Sequence, residues 1–260
     1  MISGPPQTNR SLKEDFLALG LNSNMTLMVH SSLSSIGWVV GGACTVVDAL
    51  LNVVSDKGTL VMPAATPQCE DPAVWKDVVI PDKWLAEVRD NLPVFDPEIT
   101  PTQMGAIAEC FRTWPGSLRS NHPIGSVCAR GPLAQKITAE HPMTFCEGAG
   151  TPFEKLYDLD SWVLLLGVGF NRCTMLHYAE SRSEKRRTQK NRFPIMENGQ
   201  RIWKEVDDMA NDNGRLFPTV GAEFMATGAV KKGSIGEAES MLFQARDLVH
   251  FAEDRFNKIL

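Results

Sequence analysis

Short apolar blocks recur along the chain, and each is followed by a polar stretch rich in hydroxyls or glycine. Thr26–His30, Thr59–Pro63 and Val163–Leu166 read as buried strands, with a further short strand at Val127–Ala129. Helical spacing of apolar residues predicts Ser11–Leu19, opened by a Ser11/Glu14 capping box and closed by Gly20. It also predicts helices over Ala43–Ser55, Lys83–Asn91, Met104–Arg112, Ala134–Glu140, Glu154–Tyr157 and Phe217–Thr227. Arg192–Met196 and Arg201–Val206 flank Asn198-Gly199, a strong hairpin signal. Lys231–Gly236 reads as a tight loop, and Glu237–Leu260 as the closing helix. Strands alternating with helices predict an α/β chain. With no repeat and no clear linker, one domain over residues 1–260 is expected. It carries an inserted acidic, Pro-rich excursion at about 67–101.

Three strand ends hold the candidate chemistry. After Thr26–His30 comes Ser31-Ser32-Leu33-Ser34-Ser35, then Gly37, Gly41 and Gly42 at the start of a helix. Exposed N–H groups at such a loop suit an anion, although neither GK[ST] nor GxGxxG is present. After Thr59–Pro63 comes Thr66, a hydroxyl at the same expected edge. After Val163–Leu166 comes a helix holding His177 and Glu180, three apart and therefore on one face. Three readings fit that pair: a surface ion pair, a base with its acidic partner, or part of a zinc site. The last needs a third ligand, for which His122 is the candidate.

Composition narrows the classes. The net charge is −5 over 260 residues, which speaks against nucleic acid and suits a cationic small molecule. Six cysteines are scattered without a CxxC, as expected of reduced thiols in a cytoplasmic enzyme. No stretch approaches the ~20 apolar residues of a membrane span, so no membrane association is expected. The acidic residues Glu70 and Asp71 open the excursion, and Asp207, Asp208, Asn211 and Asp212 form a second cluster. Each reads either as a solvated surface or as an ammonium site.

Taken together, these pieces resemble the aminoglycoside 3-N-acetyltransferase (antibiotic N-acetyltransferase) family over about Leu12–Phe251. The matching stretches are Val29–Leu33, Gly41-Gly42, Gly58–Pro63, Arg119–Pro123, Gly150–Phe153, Leu164–Gly169, Leu176–Glu180 and Gly228–Gly236. The resemblance implies a three-layer α/β sandwich around a mixed central sheet, distinct from the GNAT acetyltransferases. It implies acetyl-coenzyme A as co-substrate, no metal, and direct transfer to the 3-amino group of a 2-deoxystreptamine aminoglycoside, conferring resistance. His177 carries over as general base and Glu180 as its partner. His30, Ser31, Ser32, Leu33, Ser35, Thr66, His122 and Ser126 are expected along the coenzyme. Glu70, Asp71, Asp208 and Asp212 are expected toward the cationic acceptor. A monomer or homodimer is expected. The same chemistry on a non-antibiotic amine, or coenzyme binding without catalysis, remains open.

Overall fold

The computed structural model describes residues 4–76, 78–210 and 214–260. In chain order the elements are α1 (Asn9–Leu19), β1 (Thr26–Ser31), α2 (Ala43–Val54), β2 (Thr59–Pro63), α3 (Asp82–Asn91), α4 (Ala106–Arg112), β3 (Leu118–Arg119) and β4 (Val127–Arg130). They continue with α5 (Ala134–Thr138), α6 (Pro152–Asp158), β5 (Trp162–Leu166), α7 (Met175–Arg182), β6 (Thr188–Glu197) and β7 (Gln200–Met209). The last four are α8 (Phe217–Met225), β8 (Lys231–Ile235), β9 (Ala238–Gln244) and α9 (Ala245–Ile259).

Seven strands form one mixed sheet in the order β3-β4-β2-β1-β5-β9-β8. The centre, β2-β1-β5, is parallel, and antiparallel strands extend it on both sides. Side chains alternate across this sheet with period two. Leu27, Val29, Leu60, Met62, Leu164 and Leu166 enter the core shared with α1, α2 and α4, around Phe16, Leu50 and Phe111. Met28, Val61, Val163 and Leu165 enter the opposite core, under α5 to α9, around Phe153, Leu176, Phe224 and Phe256. Burial on both faces explains why the central strands read as unbroken apolar blocks. The three-layer mixed sheet is thus the architecture expected from the sequence.

β6 and β7 pair with each other in a separate ribbon. Asn198 (φ 52°) and Gly199 (φ 76°) supply its turn, as Asn-Gly predicts. The ribbon braces the excursion at 67–101. The Asp71 N–H donates to the Arg192 carbonyl at 2.8 Å. Arg201 Nη2 donates to the carbonyls of Arg89 and Leu92 at 2.6 and 2.8 Å.

The structure departs from the predicted elements in two places. Thr8, not Ser11, caps α1; Ser11 is its N3 partner in the capping box. Residues 231–244 form the β8–β9 hairpin, turned at Gly236 (φ 56°), and the helix begins only at Ala245. Lys231 to Ile235 is therefore an edge strand of the main sheet rather than a loop.

The end of β5 depends on one glycine. Gly167 adopts φ 66°, and a Cβ there would lie 2.5 Å from Ser35 Cβ and 3.1 Å from Ala238 Cβ. That close approach lets Ser35 Oγ donate to the Gly167 carbonyl at 3.1 Å. Gly167→Ala is expected to lower stability by about 1–3 kcal/mol, through overpacking and the positive φ, as a reduced urea midpoint.

Candidate active site

The parallel order of β2, β1 and β5 brings their carboxyl ends to one edge, where open α/β sheets hold ligands. Ser31 closes β1 opposite Leu166, and the Ser32 N–H donates to the Leu166 carbonyl at 3.0 Å. A 3-10 turn, Leu33–Ile36, then folds the serines onto each other. Ser35 Oγ lies 2.9 Å from Ser32 Oγ, which lies 3.1 Å from Ser34 Oγ. Ser35 and Gly167, Val168 and Gly169 wall a cleft of about 750 Å³, faced across by Lys232 and Ser234 of β8. A second hollow of about 480 Å³, beside Asp48, Trp114 and Arg130, contains none of the predicted site residues.

The backbone beyond Gly169 makes one 3-10 turn, Phe170–Arg172, and enters α7. His177 is the third residue of that helix. Its Nδ1 lies 3.5 Å from Glu180 Oε2, and its side chain is 26% exposed. Phe217 of α8 stands edge-on to the imidazole at 4.6 Å between centroids and fixes its plane. Glu180 is itself buried at 3% exposure, and Arg187 Nη2 sits 3.4 Å from its other oxygen. With Glu180 on Nδ1, the geometry leaves Nε2 as the nitrogen for a ligand's proton.

Further carboxylates gather around this ring from distant segments. Asp208 of β7 is buried, with Oδ1 accepting from the N–H groups of Cys146 (3.1 Å) and Met209 (2.8 Å). Its Oδ2 accepts from Asn191 Nδ2 at 3.0 Å. Glu147 is half-buried and accepts from Cys146 Sγ at 2.9 Å. Ligand atoms of Cys146, Glu147 and Asp208 lie within 4.8 Å of one another. That is the one such trio among the described residues, and it includes neither His177, Glu180 nor His122. Glu70, from the excursion, lies close enough to Asp208, Asp71 and Glu147 to be repelled by them.

Electrostatics follow from this crowding. Burial pulls the His177 pKa down, but the Glu180 hydrogen bond, then Glu147 and Asp208, outweigh it, and the pKa rises above 6.5. Burial first, then repulsion from Asp208, Asp71 and Glu147, pushes the Glu70 carboxyl up to about 7, against the pull of Lys76. Burial also raises Glu147, with His177 opposing and Asp208 adding to the rise. The site thus holds several acidic groups with no matching number of cations.

Not every predicted residue faces this space. Asp71 is 5% exposed, and its carboxylate lies 2.9 Å from Arg89 and 3.5 Å from Arg192, so its charge is already neutralised by the fold. Asp212 lies outside the described residues. Thr66, His122 and Ser126 are buried. Thr66 Oγ1 donates to the Pro123 carbonyl, and Ser126 Oγ donates to the Ala64 carbonyl at 2.8 Å. His122 Nδ1 accepts from the N–H groups of Ile124 and Gly125, and burial pulls its pKa down to about 4. His30 is buried too, its pKa pulled down to about 3, and its Nε2 has no hydrogen-bond partner. Two basic residues after Ser183 pair with carboxylates, Lys190 with Asp207 at 2.7 Å and Arg187 with Glu180 at 3.4 Å. Glu147, Asn191 and Phe217 were missed in the sequence. Glu147 sits in a glycine-rich turn that shows no periodicity, and nothing local marks it.

The profile of the family described as aminoglycoside 3-N-acetyltransferase matches residues 28–257. The SPbeta prophage-derived aminoglycoside N(3')-acetyltransferase-like protein YokD of Bacillus subtilis is 42% identical, covering 96% of this chain and 93% of the relative. Aminoglycoside N(3)-acetyltransferase IX of Micromonospora chalcea is 33% identical, covering 96% and 93%. Among solved structures, YokD superposes with a TM-score of 0.95 at 41% identity, covering 98% of this chain and 95% of that one. AAC-IIIb, solved as a binary complex with CoASH, superposes at 0.85 and 30% identity, covering 98% of both chains. AAC-VIa bound to sisomicin superposes at 0.86 and 28% identity, covering 98% and 99%.

Two measurements check the electrostatics. A histidine NMR titration is expected to place His177 above 6.5, with Glu180→Gln and Glu147→Gln each lowering it; identical values in both variants would show that these carboxylates do not set it. Glu70 has a raised folded pKa, so its ionisation in the folded state costs stability as pH climbs from about 4.5 to about 7. Glu70→Gln is therefore expected to raise the melting temperature at pH 8 and to leave it nearly unchanged at pH 4.

Proposed function

Since the chain belongs to the aminoglycoside 3-N-acetyltransferase family, we propose that it transfers the acetyl group of acetyl-coenzyme A to the 3-amino group of a 2-deoxystreptamine aminoglycoside. The observation that carries this reading is the half-buried His177 set in a well of Glu180, Glu147, Asp208 and Glu70, past the carboxyl ends of the parallel strands. Such a well attracts a polycation and supplies a base beside it. The related structures with CoASH and with sisomicin support the two substrate classes.

The residues fit the donor as well as the acceptor. Ser32, Ser35 and the Gly167–Gly169 backbone offer hydroxyls and close approach, and Lys232 lines the same cleft together with Glu237 and Glu239. We assign the pantetheine and phosphates of acetyl-coenzyme A to this cleft.

In the reaction, an acceptor amine is mostly protonated near neutrality and must lose a proton before it can attack. Glu70 and Glu147 hold neighbouring ammonium groups. That first proton leaves to solvent, and His177 Nε2 takes a second one as the neutral amine nitrogen bonds to the thioester carbonyl carbon. The carbon–sulfur bond then breaks, and the imidazolium returns the proton to the departing thiolate. Glu180 holds the Nδ1–H throughout and stabilises the imidazolium. Direct transfer needs no metal, and the one trio of close ligand atoms among the described residues holds an Asp208 whose oxygens already accept three N–H groups.

Thiol release from acetyl-coenzyme A with gentamicin, tobramycin, apramycin or sisomicin tests the proposal, with NMR locating the acetyl group. Coenzyme binding without release with any of them would turn the reading to another amine acceptor or to a binding protein. His177→Ala is expected to lower turnover by about 10²-fold or more while leaving coenzyme binding nearly intact. Because the base must be neutral, wild-type kcat/KM is expected to rise with pH through an apparent pKa above 6.5. In Glu180→Gln that pKa is expected to fall.

A further inference from the structure

The α1–α2–α4 layer, across the sheet from His177, carries a pair of thiols that the proposed chemistry does not use. Cys44 lies in the first turn of α2 and is exposed; Cys110 lies in α4 and is half-buried. Their sulfurs are 3.4 Å apart, with the Cys110 thiol donating to Cys44. Among the described residues this is the one hydrogen-bonded sulfur pair, and the other four cysteines are buried. Contact at this distance leaves about 1.4 Å to close before a disulfide forms, a displacement within reach of a small χ1 rotation.

We propose that Cys44 and Cys110 form a thiol–disulfide exchange site that staples α2 to α4. The co-reactant is a low-molecular-weight disulfide. The Cys44 thiolate attacks one of its sulfurs, displacing one small thiol and leaving a mixed disulfide on the exposed residue. Cys110 then attacks the Cys44 sulfur and displaces the second small thiol, so two protein thiols are oxidised and one small disulfide is reduced to two thiols. The order of attack follows from access: Cys44 faces solvent, while burial first and then Cys44 itself push the Cys110 thiol up to about 12.

The staple has a defined structural consequence. The loop that it closes, residues 45–109, contains β2 and the whole excursion at 67–101. α2 follows the serine turn, and the segment just before α4 is pinned to the end of β2, where Thr102 Oγ1 and the Gln103 N–H both donate to the Ala65 carbonyl. Closing so long a loop removes freedom chiefly from the unfolded chain.

The test is independent of acetyl transfer. The protein is incubated with hydroxyethyl disulfide at mildly alkaline pH, then denatured, alkylated and weighed. Four cysteines instead of six should be alkylated, the protein should be lighter by two hydrogens, and peptide mapping should join residues 44 and 110. The cross-linked form is expected to melt higher by roughly 5–10 °C. C44S and C110S should each lose the cross-link and the gain together. Six alkylated cysteines, a mixed disulfide on Cys44 that never closes, or a cross-link with no rise in melting temperature would each overturn the proposal.

Discussion

An imidazole beside carboxylates that outnumber the available cations is the constraint around which the rest of the molecule is arranged. Glu180 alone would make an ordinary helical ion pair with His177. Burial of the ring, with Glu147 and Asp208 nearby, changes its character, because the charged form is now favoured where desolvation would oppose it. The same crowding leaves Glu70 with a carboxyl near neutrality in its titration. The fold tolerates this by satisfying what it can. Asp208 receives three N–H groups, and Asp71 receives two guanidiniums. Glu70 and Glu147 relieve the rest by holding their protons more tightly, since burial and like charges raise both.

The sheet explains why that crowding is concentrated in one place. Parallel β2, β1 and β5 deliver three loops to one edge, and each loop turns abruptly: the serine turn, the Thr66 turn and the Gly167–Gly169 turn. The antiparallel additions do different work. β4 and the short β3 anchor Arg119, which binds the Ala64 carbonyl and the Ser126 hydroxyl, while β9 and β8 extend the cleft wall with Lys232. The helices above one face then supply α7, and the loop before α6 supplies Glu147.

Much of this frame was legible in the sequence because its signals are local. Buried parallel strands bounded by glycine stand out, as does Asn-Gly in a hairpin, and His177 and Glu180 are neighbours by helical geometry alone. Family resemblance then gave the layers and the chemistry. β8 and β9 were not legible. Met241–Phe243 is apolar toward both sides and runs through Gln244 into Ala245 with no glycine or proline between, so a strand and the following helix read as one helix. The well was legible only in part, since it is assembled from the excursion, the turn at Glu147, β7 and α7. Glu70 and Asp71 are adjacent and chemically alike in the sequence. Only the position of Arg89 and Arg192 separates the paired Asp71 carboxylate from that of Glu70.

The excursion and the β6–β7 ribbon are cross-tied at several points: Asp71 to Arg192 through backbone and side chain, and Arg201 to two carbonyls at the end of α3. These two segments are far apart in the sequence yet form a single mechanical piece. Grafting the excursion alone from a relative with a different drug range would strand Arg192 and Arg201 without their acceptors. The unit that keeps these ties intact in an exchange between relatives is therefore the discontinuous pair, moved together.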